Sequence, residues 1–154
     1  MNVTDKKILK IIQERADISL QELARKVGLS RTPCWARLRK MEEAGIIDKR
    51  VTLLNREKLG FPIVVFLSIS ISKQHPQWET RLKWILNHYD QITEAHRLTG
   101  TGADYLLKVV AASIEDYDRF QQELISRIDF TAMSSSVSLQ ELKSTTALPL
   151  GPGV

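Results

Sequence analysis

Arg31, Arg37, Arg39 and Lys40 crowd one short stretch of the chain, and a threonine and a tryptophan lie among them at Thr32 and Trp35. These residue types suit polyanion chemistry. An arginine at the tip of a helix bonds guanine O6 and N7 as a fork, and a threonine meets a thymine methyl or a phosphate. Arg31, Thr32, Trp35 and Ala36 are placed for base edges at the start of a helix that Ser30 opens. Arg37, Arg39 and Lys40 lie further along and are read as phosphate contacts, which position a protein without reading sequence. Two readings are open for Trp35, half-buried support for the helix or an apolar contact to DNA, and the first is preferred.

Charge supports a polyanion partner for this half of the molecule. Of 154 residues, 1–60 hold 14 Lys and Arg against 8 Asp and Glu, whereas 61–154 hold 8 against 10. The basic excess is confined to one half, as expected if that half alone meets a nucleic acid. Other chemistries are poorly served. His75, His88 and His96 have no Cys or Glu at ligand spacing, so no metal site and no cofactor are expected. Cys34 falls on an apolar helical stripe and reads as a small buried hydrophobe. No phosphate-binding glycine loop or serine nucleophile turn occurs. A lone cysteine excludes an intrachain disulfide and fits a reducing, cytoplasmic setting. No apolar run approaches the roughly 20 residues of a membrane span, and the N-terminus leads into an amphipathic helix rather than a signal peptide.

The elements that must position these groups follow from periodicity. Ile8, Leu9, Ile11 and Ile12 mark a first helix over 4–13, with Thr4 as N-cap. Ser19 and Glu22 form a capping box for a second, which Gly28 ends. A third runs from Ser30 to Ala44, with Pro33 in its first turn and Cys34, Leu38 and Met41 facing inward. The two short helices joined through Gly28 have helix-turn-helix spacing. Residues 46–54 read as a short strand and 55–60 as a polar turn. The second half switches period, with strands at 63–72, 92–99, 105–111 and 133–142 and helices at 77–88 and 114–127. That βαββαβ order is the ferredoxin-like split βαβ pattern. The expected domains are 1–50 for DNA binding, 51–60 as linker, 61–150 as an α+β unit, and 151–154 as a loose tail.

The ordered runs from Leu20 through Ser30, from Thr32 through Leu38 and from Met41 through Ile47 resemble the Lrp/AsnC, or feast/famine, regulators. So do Gly100 with Asp104-Tyr105-Leu106-Leu107 and the closing Thr145-Thr146-Ala147-Leu148-Pro149-Leu150. The resemblance spans nearly the whole chain. It implies a winged helix-turn-helix domain followed by a ferredoxin-like effector and oligomerisation domain. It also implies double-stranded DNA as partner, a homodimer paired through its sheets that assembles into octamers or open helical arrays, and a small effector, an amino acid above all.

In that family the effector lies against the loop joining the second and third strands, which here is Gly100, Thr101, Gly102, Ala103 and Asp104. The glycines would open backbone N–H groups to a carboxylate. Asp104 would accept from an ammonium group, with local turn bonding as its alternative role. Ser134, Ser135 and Ser136 would add hydroxyls. The loop is one residue longer than the common pattern, with Ala103 where an aromatic or small residue often stands. Two other readings share the architecture: an architectural DNA-binding protein without effector, and an enzyme resembling siroheme decarboxylases. Of the latter's motifs only His96 is reminiscent, and the net negative second half suits tetrapyrrole carboxylates poorly.

Overall fold

The structure is a computed structural model that describes residues 1–72, 76–100 and 102–151. It separates into two units. One comprises Met1–Leu53 with residues 143–151, and the other Leu54–Leu142.

The N-terminal unit is built from α1 (Val3–Ile12), α2 (Leu20–Val27) and α3 (Arg31–Glu43). Helix α1 starts earlier than the expected Thr4 cap. Asn2 accepts the Asp5 backbone N–H at 2.8 Å while Asp5 accepts the Asn2 N–H at 3.3 Å. This reciprocal box satisfies two orphan donors, where Thr4 would satisfy one. Ser19 accepts from the Glu22 backbone at 3.2 Å and caps α2. The Glu22 side chain meets Arg15 at 3.4 Å. Gly28 ends α2 in the left-handed region at φ 73°, and Leu29 N–H bonds back to Ala24 O at 2.9 Å. Ser30 caps α3 without a side-chain hydrogen bond. Ile8, Leu9, Leu23, Ala24, Cys34, Leu38 and Met41 form the core, so each helix contributes one inward stripe.

The strand expected at 46–54 does not form. That stretch is irregular, with Val51, Leu53 and Leu54 exposed. A β-prone run needs a neighbour to take its backbone bonds, and none of the described strands lies alongside it.

In the C-terminal unit, β1 (Ile63–Ile71), α4 (Trp78–His88), β2 (Ile92–Arg97), β3 (Tyr105–Ala111), α5 (Ile114–Arg127) and β4 (Phe130–Val137) follow the expected βαββαβ order. The sheet order is β2-β3-β1-β4, and every pairing is antiparallel. Val65, Leu67, Ile69 and Ile71 of β1 and Leu107, Val109 and Ala111 of β3 face Leu82, Ile85 and Tyr89 of α4 and Tyr117, Phe120 and Leu124 of α5. The alternate residues, including Phe66, Ser68 and Leu106, therefore lie on the opposite, helix-free face.

Strand β4 is displaced from the expected 133–142. It starts at Phe130, opposite Ile71, and ends once Ser138 N–H has bonded Val64 O at 2.8 Å. Beyond that level β1 ends at Ile63, and Pro62 before it has no N–H to offer. Strand β2 likewise stops at Arg97, two residues short of expectation, where Leu98 N–H turns to Asp104 O at 2.8 Å.

The expected domain bounds are corrected at the C-terminal side. Residues 143–151 belong with the N-terminal helices, because Leu150 packs on that core and Gln13 bonds the backbone of Leu148. Pro152, Gly153 and Val154, most of the expected tail, lie outside the described residues, as do Lys73, Gln74 and His75.

A Cβ at position 28 meets no atom within 4 Å, so the cost of replacing Gly28 is backbone strain alone. Gly28→Ala is expected to lower unfolding stability by about 1–2 kcal/mol, and Gly28→Asn by less, since asparagine tolerates αL better. Denaturant melts of the two variants check this, and equal losses would contradict it.

Candidate nucleic-acid interface and effector loop

Cys34, Leu38 and Met41 are buried at successive turns of α3, which turns the rest of its circumference outward. Ser30, Arg31, Thr32, Trp35, Ala36, Arg39 and Lys40 are all exposed. Seven of the eight residues expected at a DNA surface thus share one accessible face and tip of the helix. Arg31 lies at its N-terminal end beside Arg25 and Gln21 of α2, and the three line one shallow groove with Ser19, Glu22 and Leu29. Gln21 and Arg25 were missed in the sequence. Their i, i+4 spacing on the polar side of α2 is the signal that could have found them.

Arg37 is the exception. Its guanidinium donates to Asp5 on α1 at 2.8 Å, and the Asp5 side chain is only 18% exposed. This ties α3 to α1 and leaves the Arg37 side chain 36% exposed, so Arg37 is also a fastening between helices. Arg39 keeps its freedom. Its partners Glu42 and Glu43 lie at 3.7 and 3.8 Å on the surface, and exposed pairs of this kind contribute only about 0–1 kcal/mol.

Trp35 is 53% exposed and stands outside the core cluster, with the Arg39 guanidinium 5.9 Å from its ring centroid. The support it gives goes to a cation at the surface, so the preferred reading of Trp35 as a prop for the helix is narrowed to that. Cys34 has no accessible surface, and burial pushes its thiol above the ordinary range. A thiolate nucleophile is therefore disfavoured there.

At the loop between β2 and β3, Gly100 and Gly102 sit at φ 117° and 123°, where a Cβ is disfavoured. Thr101 between them lies outside the described residues. Ala103 and Asp104 are half-buried. Asp104 docks the loop onto β1: its N–H donates to Ile69 O at 3.0 Å, and its carboxylate accepts from Ile71 N–H at 3.3 Å. The backbone-bonding role is thus present in the geometry, on a strand far from Asp104 in sequence.

The three serines do not act together. Ser135 turns to the helical side, where it bonds the Tyr117 hydroxyl and accepts from Gln121 at 3.3 Å. Burial raises the Tyr117 hydroxyl above its ordinary range, and the bond to Ser135 lowers it in part. Ser134 and Ser136 alternate to the helix-free face, where Ser134 pairs with Ser68.

Asp104 adjoins Tyr105, which pairs with Ile69, and Ile69 pairs with Met133. The loop and the start of the serine run thus reach one end of the sheet, about 10 Å apart across β1 at two strand spacings. A groove of about 460 Å³ lies along the start of β4, lined by Ile125, Ile128, Asp129, Phe130, Thr131, Ala132 and Met133. Sequence reasoning missed it, because its walls come from the end of α5 and from a strand start that was placed three residues late.

His96 and Lys108 flank Glu94 on the helix-free face, at 3.5 and 2.9 Å, and Lys108 foremost holds the Glu94 carboxyl below its usual range. His88 stacks on Trp84 at 4.2 Å. Among the described residues no group of three His, Cys, Asp or Glu side chains could hold a metal ion, and no helix is long and apolar enough to cross a membrane.

Comparison with known proteins adds independent findings. Residues 1–48 match the family model for winged helix-turn-helix DNA-binding domains, and 64–148 match the model for the Lrp/AsnC ligand binding domain. The glutamate uptake regulatory protein of Zymomonas mobilis is 42% identical over 95% of this chain and 88% of its own length. An AsnC family transcriptional regulator from Agrobacterium tumefaciens superposes with a TM-score of 0.91 at 40% identity, covering 97% of each chain. A transcriptional regulator from Neisseria meningitidis, solved as a complex with L-Met, superposes with a TM-score of 0.94 at 30% identity over 100% of this chain and 99% of its own.

Two outcomes are expected at the helix-turn-helix. Arg37→Ala should lower thermal stability yet leave the salt dependence of binding to random-sequence duplex unchanged, whereas Lys40→Ala should flatten the log–log slope by about 1. Salt titrations of both variants measure this. In native buffer Cys34 should resist iodoacetamide and react only on unfolding. Rapid alkylation of the folded protein would contradict its burial.

Proposed function

Because the chain belongs to the Lrp/AsnC family of transcriptional regulators, with a DNA-binding and a ligand-binding domain, we propose that it reads a specific DNA site as a homo-oligomer under the control of an amino acid. The observation that carries the DNA half of this reading is the helix α3. Its inner stripe is consumed by the core, while Arg31, Thr32, Trp35, Ala36, Arg39 and Lys40 stand exposed along the remainder. Arg31 and Thr32, at the helix tip, read base edges, with Gln21 and Arg25 beside them. Arg39 and Lys40 meet phosphates and supply the salt-dependent, sequence-independent part of the affinity. Two copies of α3 in a dimer address two half-sites, and dimers assemble further into an octamer in the cytoplasm.

The effector half rests on Gly100, Gly102, Ala103 and Asp104, on Ser134, and on the groove at the start of β4, which lie toward one end of the sheet, with Ser136 further along β4 opposite Phe66. The L-Met complex of the Neisseria relative supports an amino acid as the ligand class. The glycine-bearing backbone suits a carboxylate, and Asp104 suits an ammonium group. Ile125, Ile128, Phe130 and Met133 suit an apolar side chain. Ligand binding controls DNA only to the extent that it favours one assembly state over another. Relatives named as transcriptional regulators speak for this reading over an enzyme, and His96, the lone echo of siroheme chemistry, is engaged with Glu94.

Arg31→Ala is expected to reduce discrimination between a selected duplex and random sequence by about tenfold, in line with 1–3 kcal/mol per lost bidentate base contact. Equal loss on both duplexes would assign Arg31 to phosphate instead. A thermal-shift screen of the purified protein against the common amino acids, with siroheme alongside, tests the effector. One amino acid should raise the melting temperature, and Asp104→Asn should diminish the shift while leaving the ligand-free melt near its original value. A shift with siroheme alone would favour the enzyme. No shift beside intact DNA binding would favour the architectural protein.

A further inference from the structure

Three methionines occur in the chain, and their surroundings differ. Met1 is terminal and 48% exposed, and Met41 is buried in the helical core. Met133 is half-buried near the start of β4 and forms part of the wall of the groove of about 460 Å³. Strand β4 is an outer strand of the sheet, and the groove between its start and the end of α5 is open to solvent. A thioether that solvent can reach is open to oxygen transfer, the reversible step from methionine to its sulfoxide.

A side chain of α5 stands over this sulfur. Gln121 donates from its side-chain nitrogen to Met133 Sδ at 3.1 Å. The same nitrogen donates to Ser135 Oγ at 3.3 Å, and Ser135 bonds the Tyr117 hydroxyl, so the amide is held from two sides. A thioether sulfur has two lone pairs, and an oxidant can deliver oxygen to either. The two additions give opposite epimers, because the oxidised sulfur is a stereocentre. At 3.1 Å the Gln121 nitrogen leaves no room for an oxygen atom between itself and the sulfur. One lone pair is thereby closed, and the other stays open.

We propose that Met133 is a site of reversible oxidation by peroxide, at which Gln121 admits one sulfoxide epimer, and that the product unfits the groove for an apolar side chain. Gln121 is a positioning residue in this step. The open lone pair attacks one oxygen of the peroxide, and the S–O bond forms as the O–O bond breaks. Sulfur is oxidised by two electrons and the peroxide is reduced. The hydroxide released takes the proton of the transferred oxygen and leaves as water. The sulfoxide sets a strong dipole beside Ile125, Ile128 and Phe130, where an apolar group would have to cover it. Each of the two sulfoxide reductases acts on a single epimer, so only one of them restores the residue. The oxidation claim stands on its own; the claim about binding rests on the effector reading above.

The folded full chain is treated with hydrogen peroxide, quenched and mapped by peptide mass spectrometry. Met133 should gain one oxygen at least about tenfold faster than Met41, whose oxidation waits on opening of the helical core. The peptides are then exposed to each epimer-specific reductase. One enzyme should repair about nine-tenths or more of the oxidised Met133, while the two share oxidised Met1 about equally. In Gln121→Ala the selectivity at Met133 should fall to the level of Met1. Oxidation of Met133 as slow as that of Met41 would overturn the site. Equal sharing of Met133 in the parent, or undiminished selectivity in Gln121→Ala, would overturn the role of Gln121. Should that variant misfold, Gln121→Glu keeps the size, removes the donor and carries the same expectation.

The consequence for binding is read by thermal shift with L-methionine, L-leucine and L-phenylalanine in turn, after the peroxide has been removed. At least one should raise the melting temperature of the untreated protein, and oxidation should weaken its affinity by about tenfold or more. In Met133→Leu, whatever its own affinity, the value should be the same before and after peroxide. Unchanged affinity in the oxidised parent, or an equal loss on peroxide treatment of Met133→Leu, would overturn the consequence. No shift with any of the three would overturn the reading of an apolar effector and with it the consequence, while mass spectrometry still decides the oxidation.

Discussion

Burial of one stripe of α3 is the constraint on which the DNA-binding unit depends. A helix of 13 residues presents a surface to DNA only if its opposite side is fully engaged. Cys34 and Leu38 sit against Ile8, Leu9 and Leu23, and these contacts set the rotation of the helix about its axis. Once that rotation is set, Arg31, Thr32, Trp35, Ala36, Arg39 and Lys40 have nowhere to go but outward. Spacing along the helix follows from its 3.6-residue period. Which face is outward follows from the core.

The same logic divides the charges of α3. Arg37 falls at the margin between buried stripe and exposed face, where α1 is within reach, and Asp5 takes it. The Asp5 carboxylate serves two ends at once, accepting from the Asn2 backbone in the cap of α1 and from the Arg37 guanidinium. Arg39, two residues on, is carried around the helix to water and to the Trp35 ring. Three arginines in one helix thus have three environments, and residue type alone does not distinguish them.

In the C-terminal unit β1 has the corresponding role. It is an inner strand, bonded on one side to β3 and on the other to β4, and both candidate effector segments are positioned from it. Asp104 is docked by the N–H of Ile71 and the carbonyl of Ile69, while Ser134 stands opposite Ser68. The pleat then decides which hydroxyls are available. Alternation puts Ser135 under α5 with Tyr117 and Gln121, and turns its two neighbours to the other face.

Sequence alone determined the type and order of nearly every element, because hydrophobic period and capping chemistry are local and act within a few residues. The helix end at Gly28, the βαββαβ order, the inward placing of Cys34, Leu38 and Met41 and the basic half were all legible for that reason. Outcomes that depend on a distant partner were not. The stretch 46–54 has the composition of a strand but no described strand beside it. Strand β4 starts and stops where β1 allows. Arg37 bonds a carboxylate 32 residues away, and Leu148 is claimed by a glutamine 135 residues away. Such pairings join groups with no local signature of each other. Only the tertiary structure decided them, because only closure of the chain brings the partners within bonding distance.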